Sequence, residues 1–374
     1  MRLFHQLEEL SKRHEIHLYT LAEGEITKAD LNRVEQLCKT VTISTSSFWQ
    51  KARGFVRALR MSWPLQTGIS YDPSLHKKML ADLSSKGIDA VYCQLIRMVP
   101  YTEGVYQHKV IDFMDALGLG MEKRAKLSYW PLNWLYSWEA SRVKWYEKTC
   151  ASSFDKRVVI TPEDGEAMQL HPFPVEIVHN GIDTEYFHPM KNANPYFDVG
   201  FIGNLGYLPN KGAVQYLVNE IGAAYKTKYG SQLSMLIAGA RPSKKILSLS
   251  SEQVTVKGWM DDIRNSYWQI SILVAPIFYG TGQQNKILEA MACGIPVVCS
   301  KEVANGVGAK HNVQLLVAGS PDEYAQYIHL LKSDEALYQS LQQNALEHVK
   351  LNFSWEKSGK VLEKILDPQY WVQS

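Results

Sequence analysis

Apolar residues along this chain follow two rhythms. The first is a helical stripe. Leu3, Phe4, Leu7 and Leu10 recur every third or fourth position, so the chain opens on a helix. The second is a short apolar run without polar alternation, as expected for parallel strands covered on both faces. EIHLYT at 15–20, TVTIS at 40–44, AVYCQ at 90–94, KVID at 109–112, RVVI at 157–160 and a run at 175–179 predict strands in the first half. Helices are predicted at 28–38, 121–150 and 162–170, the last with proline in its first turn. Trp130, Trp134 and Trp138 lie four residues apart, with Trp145 further on, and such a stripe is expected to face a core. The second half continues with strands at 199–202, 235–238, 254–257, 272–275, 296–299 and 314–317. Helices follow at 321–333, at 335–351 and from Ser354 onward. Strands alternating with helices predict parallel sheets in an α/β chain.

One unit is informative beyond its fold. The run 272–275 closes at Pro276 and leads into the turn Gly280-Thr281-Gly282. A helical segment runs from Gln283 to Cys293, where Gly294 stops it and Pro296 forbids its continuation. Backbone N–H groups at a helix start lack internal partners and favour an anion, and the glycines let a phosphate approach. Asn285, Lys286 and Glu289 share one helix face. A carboxylate there can accept hydrogen bonds from two sugar hydroxyls. The plainer alternative is a solvated ion pair between Lys286 and Glu289.

The chain's 374 residues point to two domains, and 45% hydrophobic residues suffice for two cores. A formal net charge of +2 argues against general nucleic-acid affinity. Five scattered cysteines show no metal-ligand spacing and read as reduced, partly buried thiols, which implies the cytoplasm. No apolar run reaches the ~18 residues of a membrane span, and no signal peptide is visible. The stretch 48–63, FWQKARGFVRALRMSW, interleaves Lys51, Arg53, Arg57 and Arg60 with aromatic and aliphatic residues. A basic helix with aromatic flanks can lie on an anionic membrane, as a peripheral contact. The alternative is a surface helix with its apolar side packed inward. Asp112 and Asp115 stand at the end of a predicted strand, where open α/β sheets bind ligands. Either could instead be a helix N-cap.

GTGQQNKILEAMACGIPVV resembles the donor-site signature of the retaining GT-B glycosyltransferases of family four, also called group 1. The family pattern is a glutamate, seven residues, a second glutamate and a small-Gly-x-Pro-Val-Val ending. Glu289 matches the second glutamate, which the resemblance assigns to the ribose hydroxyls. Thr281 stands where the first would be, as in the GTGxQNK variant of an exopolysaccharide-associated subgroup. Gly203-Asn204 followed by Lys211-Gly212 is similar to the family's second phosphate-contacting loop, with Asn204 in place of an arginine. Arg241 is a further candidate for the diphosphate. Trp259 falls in the loop that meets the base, and Asn180-Gly181-Ile182-Asp183 resembles the family's PNGVD. The resemblance gives Asp112, and next Asp115, a place near the reacting sugar, to take up the acceptor's proton or stabilise positive charge.

The resemblance therefore implies two doubly wound Rossmann-like domains facing across a cleft. Residues 1–183 would bind the acceptor, 184–195 link, 196–353 bind the nucleotide sugar, and 354–374 cross back as a helix and tail. The segment 7–20 is similar to the family's first helix and second strand, so the first strand and its loop are expected to be missing, as truncation or a misplaced start would produce. The implied activity is transfer of a sugar with retention from a nucleoside diphosphate sugar to a lipid-linked or polysaccharide acceptor, with no cofactor. No Asp-x-Asp motif is present, and Lys211, Lys286 and Arg241 are expected to neutralise the leaving diphosphate without metal. The expected donor contacts are Gly203, Asn204, Lys211, Arg241, Trp259, Gly280, Thr281, Gly282, Gln283, Gln284, Asn285, Lys286 and Glu289. Two other classes stay open: a nucleotide-sugar epimerase on the same scaffold, and a truncated or non-catalytic sugar-nucleotide-binding subunit.

Overall fold

A computed structural model describes residues 2–22, 24–126, 128–191, 195–278 and 282–367. The contacts divide the chain into two compact units. One holds the residues up to His179 together with the helix from Trp355, and the other is Asn180–Ser354. The changeover thus falls between His179 and Asn180.

The second unit is built on one parallel sheet. Its strands are β7 (Phe197–Ile202), β8 (Met235–Ala238), β9 (Val254–Lys257), β10 (Ile270–Ala275), β11 (Val297–Cys299) and β12 (Leu316–Val317). Their order is β12-β11-β10-β7-β8-β9, every pair parallel. Chain order reverses between β7 and β10, which makes their carboxyl ends a topological switch point. Every residue of β8 and β11 is buried, because helices cover both faces and the strands carry no polar alternation. At the sheet edge toward β8, Gly239 lies against Gly203, and a Cβ there would collide with the Gly203 carbonyl. The loops after β7 and β8 can approach this closely only because both residues are glycine at positive φ.

The first unit carries two separate parallel sheets. One pairs β1 (His17–Ala22) with β2 (Thr40–Thr45). The other orders β3 (Ala90–Gln94), β4 (His108–Met114), β5 (Lys156–Val159) and β6 (Glu176–Ile177) in sequence. The opening helix Arg2–Ser11 packs on the last helix, Trp355–Leu366. All five cysteines are buried. Burial pushes the Cys93 and Cys299 thiols far above their ordinary range, which leaves them inert.

Two expectations need correction. The segment 121–150 is not one helix: Leu117–Lys126 ends and Leu132–Ala151 begins afresh after Pro131, which has no N–H to continue a ladder. The tryptophan stripe does not face a core either. Trp130, ahead of the second helix, is 82% exposed, and Trp134 and Trp145 on that helix are exposed because its buried side is Ala140, Val143, Tyr146 and Cys150. The helix Phe48–Arg60 likewise turns its large apolar residues outward. Trp49 is 72% exposed, and Phe48, Phe55, Val56 and Leu59 are exposed as well. Its buried side is Gly54 and Ala58, set against Gly68 of the next helix so closely that a Cβ on either glycine would clash.

Candidate functional site

The switch point of the second unit assembles the site. β7 ends at Ile202, and Gly203 turns the chain with φ of +157°. The loop is held by Asn204, whose side-chain oxygen accepts from the Gly206 N–H at 3.0 Å, and by Leu205, whose N–H donates to the Ala240 carbonyl at 2.8 Å. The helix that follows starts at Leu208 with Pro209 in its first turn. This brings Asn210 back under the loop, where it is buried. Asn210 Nδ2 donates to the Asn204 carbonyl at 2.8 Å, and its Oδ1 accepts from Lys286 Nζ at 2.7 Å.

Lys286 arrives from the other side of the switch point, on the helix Asn285–Ala292 that follows β10. Its ammonium lies 5.0 Å from the Phe201 ring centroid and borders Gly203, where an added Cβ would sit 3.5 Å from Nζ. No carboxylate forms an ion pair with it among the described residues. Burial lowers its pKa to about 8, against an upward pull from Glu289. A desolvated cation whose hydrogen-bond partner is a neutral amide retains unspent donors and an uncompensated charge.

Glu289 sits one turn along the same helix. Tyr267, fully buried, donates its hydroxyl to Glu289 Oε2 at 2.7 Å. Burial raises the carboxyl pKa, while the Tyr267 hydroxyl and the Lys286 charge hold it down. The second oxygen, Oε1, has no partner among the described residues, so Tyr267 orients the carboxylate and leaves one oxygen to accept. The simple solvated pair of Lys286 and Glu289 is not what forms: each is held by a different neutral group.

The other expected donor residues divide. Gly203, Asn204, Lys286 and Glu289 meet at the switch point as described. Lys211 follows the buried Asn210 and is half-buried. Arg241 is exposed after β8 at φ of +58°, with its Cβ near Gly206. Trp259 is exposed in the loop after β9. Gly282 is buried at φ of +104°. Gln283 spans the Asn180 backbone, accepting from its N–H at 2.9 Å and donating to its carbonyl at 2.8 Å. That leaves Gln283 a clamp on the 180–183 turn. Gln284 caps the helix without a side-chain bond, and Asn285 is exposed. Gly280 and Thr281 lie outside the described residues. Asn210 was not anticipated from sequence. A buried asparagine at a helix start reads as ordinary, and only its place three residues after Tyr207 in a Gly-rich loop hinted at it.

In the first unit, Asp112 is fully buried. Arg2 donates through Nε at 2.9 Å and pairs through Nη2 at 2.8 Å, both to Oδ2. Tyr92 donates to the same oxygen at 2.5 Å, and the Met114 N–H donates to Oδ1 at 2.8 Å. With both oxygens taken and no solvent access, Asp112 holds the opening helix to β4. Asp115 is exposed in the turn beyond β4. Surrounding protein and the nearby Asp164 carboxylate push its pKa up to about 6. Sequence put Asp112 first and Asp115 next; of the two, Asp112 is buried and Asp115 exposed.

The family described as glycosyl transferases group 1 matches residues 196–334. This segment, little more than a third of the chain, is similar to the group 1 glycosyltransferases. YtcC of Bacillus subtilis (strain 168) is 31% identical over 121 residues, which are 29% of this chain and 28% of that protein. The chain thus matches little more than a quarter of the length of YtcC. An uncharacterized 44.6 kDa protein in the cps region of Klebsiella pneumoniae is 23% identical over 372 residues, covering 92% of this chain and 89% of that one. Anabaena HepE, solved in complex with UDP and glucose, superposes with a TM-score of 0.67 at 15% identity, over 97% of this chain and 94% of HepE. That likeness shows the fold: GT-B, with two Rossmann-like units.

Proposed function

We propose that this glycosyltransferase moves a hexose from a uridine diphosphate sugar to a lipid-linked or polysaccharide acceptor, with retention and without metal. Lys286 carries the reading. It is a half-buried cation with no carboxylate ion-pair partner among the described residues, at the switch point of a doubly wound sheet, beside a glycine loop that a diphosphate can approach. Glu289 would take the ribose hydroxyls through its open oxygen. Lys211 and Arg241 would add charge around the leaving diphosphate and stand in for a metal. Binding of UDP by HepE supports uridine as the base, and the cps region of the Klebsiella relative supports a polysaccharide product. Retention rests on the resemblance of 280–298 to the family-four signature. Incubation with UDP-hexoses and cell-envelope lipid extracts, followed by mass spectrometry of the lipids, tests it. A hexose mass increment is expected, and free hexose alone with every extract would refute the transfer.

Asp115 is the proton acceptor in this reading, because its carboxylate is accessible and Asp112 is not. A raised pKa means that Asp115 is ionised above about 6 and protonated below it. Turnover should therefore fall by half near pH 6 and about tenfold for each unit below that. Asp115→Asn should flatten this acid limb. An acid limb that survives the substitution would assign the ionisation to another group.

The outward face of Phe48–Arg60 would rest on an anionic membrane. Among the described residues no helix is long and apolar enough to cross one. The exposed Phe48, Trp49 and Phe55 lie among Lys51, Arg53 and Arg60, the signature of a helix lying in the headgroup region. Arg57 is excluded from the count: its guanidinium stacks 4.9 Å above Tyr71. Replacing Lys51, Arg53 and Arg60 by glutamine should weaken binding to phosphatidylserine vesicles by at least tenfold, at ~1 kcal/mol per charge. Equal sedimentation of both proteins with vesicles would remove the membrane from the reading.

A further inference from the structure

The turn that joins the helices Leu117–Lys126 and Leu132–Ala151 exposes a dense set of large side chains. Tyr129 is 91% exposed and Trp134 66%, and Trp130, Leu132 and Leu135 are exposed as well. Single exposed apolar residues are ordinary, whereas a contiguous set marks a contact surface. The leucines show that this surface is an overhang. Leu132 stands seven residues before Glu139 and eleven before Val143, and Leu135 stands eleven before Tyr146, so both lie in the stripe that the rest of the helix buries. That stripe is covered from Glu139 onward and bare in the first turn.

The charges around the overhang select its partner. Residues 127–138 include no Asp, Glu, Lys, Arg or His. The last turn of the preceding helix carries Lys123, Arg124 and Lys126. The one carboxylate in 117–138, Glu122, is already shared by Lys144 and by Lys126 at 3.9 Å. A net-positive turn bearing tryptophan, tyrosine and leucine matches the headgroup zone of an anionic bilayer, where aromatic rings sit at the interface and leucines reach the acyl chains. A second copy of the chain would bring like charges together, and a glycan offers the leucines no apolar cover. The overhang is also continuous with the helix Phe48–Arg60. Arg142 Nη2 donates to the Ala58 carbonyl at 2.8 Å and to the Trp63 carbonyl, and Glu139 Oε1 accepts from the Leu65 N–H at 2.5 Å. Leu132 precedes these anchors by ~10–15 Å along the helix axis.

We propose that residues 129–135 are a second membrane contact, a wedge of tryptophan, tyrosine and leucine that enters the headgroup region of an anionic bilayer beside the outward face of Phe48–Arg60. It deepens the membrane reading of that helix and rests on it. One interfacial helix leaves the first unit free to roll about the helix axis, and a second contact removes that freedom. The first unit then meets the surface in a fixed orientation, so an acceptor carried on a lipid approaches it from one side. Basic residues on both elements hold the unit to anionic headgroups: Lys51, Arg53 and Arg60 on one, Lys123, Arg124 and Lys126 on the other.

Quenching by brominated lipid tests this on the full chain. The five native cysteines are buried, so a cysteine placed at an exposed site is the one that a thiol-reactive NBD dye labels fastest. Leu132→Cys, Val56→Cys and, as a control in the second unit, Val313→Cys replace exposed residues. Each is labelled and mixed with vesicles of phosphatidylcholine and phosphatidylserine whose acyl chains carry bromine. The labels at 132 and 56 should each lose at least about half of their emission, and the label at 313 almost none. Trp130→Ser combined with Trp134→Ser should weaken vesicle binding at least ~10-fold with melting unchanged, because both rings are exposed. Quenching at 56 but not at 132 would overturn the wedge and leave the helix reading standing. Quenching at neither would overturn both. A label at 132 that responds to dextran and not to vesicles would overturn the wedge in favour of a glycan platform.

Discussion

Lys286→Met should weaken binding of UDP by about 1.5–3 kcal/mol, ~10- to 150-fold in Kd, with little change in thermal stability. Methionine keeps the unbranched stem that passes Phe201 and Gly203 and removes only the ammonium. What is lost is a charge-assisted hydrogen bond to the diphosphate in a partly desolvated place, where it is worth more than on a surface. The same group sets a pH limit. Its pKa of about 8 in the free protein means that the ammonium loses its proton as pH rises through that value. A bound diphosphate favours the protonated form, so affinity should fall from pH 7 to pH 9 in the wild type. In Lys286→Met the affinity should be flat across that range. Titration at three pH values separates the two proteins. A wild-type affinity independent of pH would detach Lys286 from the phosphates.

Asp112→Ala should destabilise the first unit by about 3–5 kcal/mol. Arg2 is buried against this carboxylate, and deleting the partner leaves a guanidinium without its counter-charge and a Tyr92 hydroxyl without an acceptor. At ~2–4 °C per kcal/mol for a unit of this size, the melting temperature of the first unit should drop by about 10 °C or more. The double replacement Arg2→Met with Asp112→Ala should recover much of the loss, because removing both members of a buried pair is far milder than removing one. A catalytic role for Asp112 gives a different pattern: activity lost, melting unchanged and no rescue by the second substitution.

Sequence made the second unit legible for a physical reason. Its strands are covered on both faces, so they appear as plain apolar runs, and Gly294 and Pro296 mark where the helix after β10 must end. Lys286 and Glu289 stood out in the sequence because they share a helix face with a glycine turn before them. Their partners were not found. Asn210 and Tyr267 are neutral residues that reach the pair from separate elements, and no local spacing announces such a contact. In the first unit small residues hid which helix faces are buried. For 48–63 the reading left two alternatives, a membrane-facing helix or one packed inward by its apolar side; Phe48–Arg60 buries Gly54 and Ala58 and leaves its large apolar side chains exposed. Two small residues four apart allow a neighbouring backbone to approach closely, and that spacing, read together with Gly68, was the available signal. The exposed Trp134 and Trp145 follow the same logic, since Ala140, Val143 and Cys150 fill the inner side of their helix. The burial of Asp112 depends in part on Arg2, which is 110 residues away in sequence.

The most direct test of the donor site is isothermal titration of the purified chain with UDP, GDP and ADP in the absence of added metal. The site described here predicts binding of UDP at micromolar strength, lost or sharply weakened in Lys286→Met and in Glu289→Ala. A folded protein that binds none of the three nucleotides, or that binds one equally well in both variants, would contradict it.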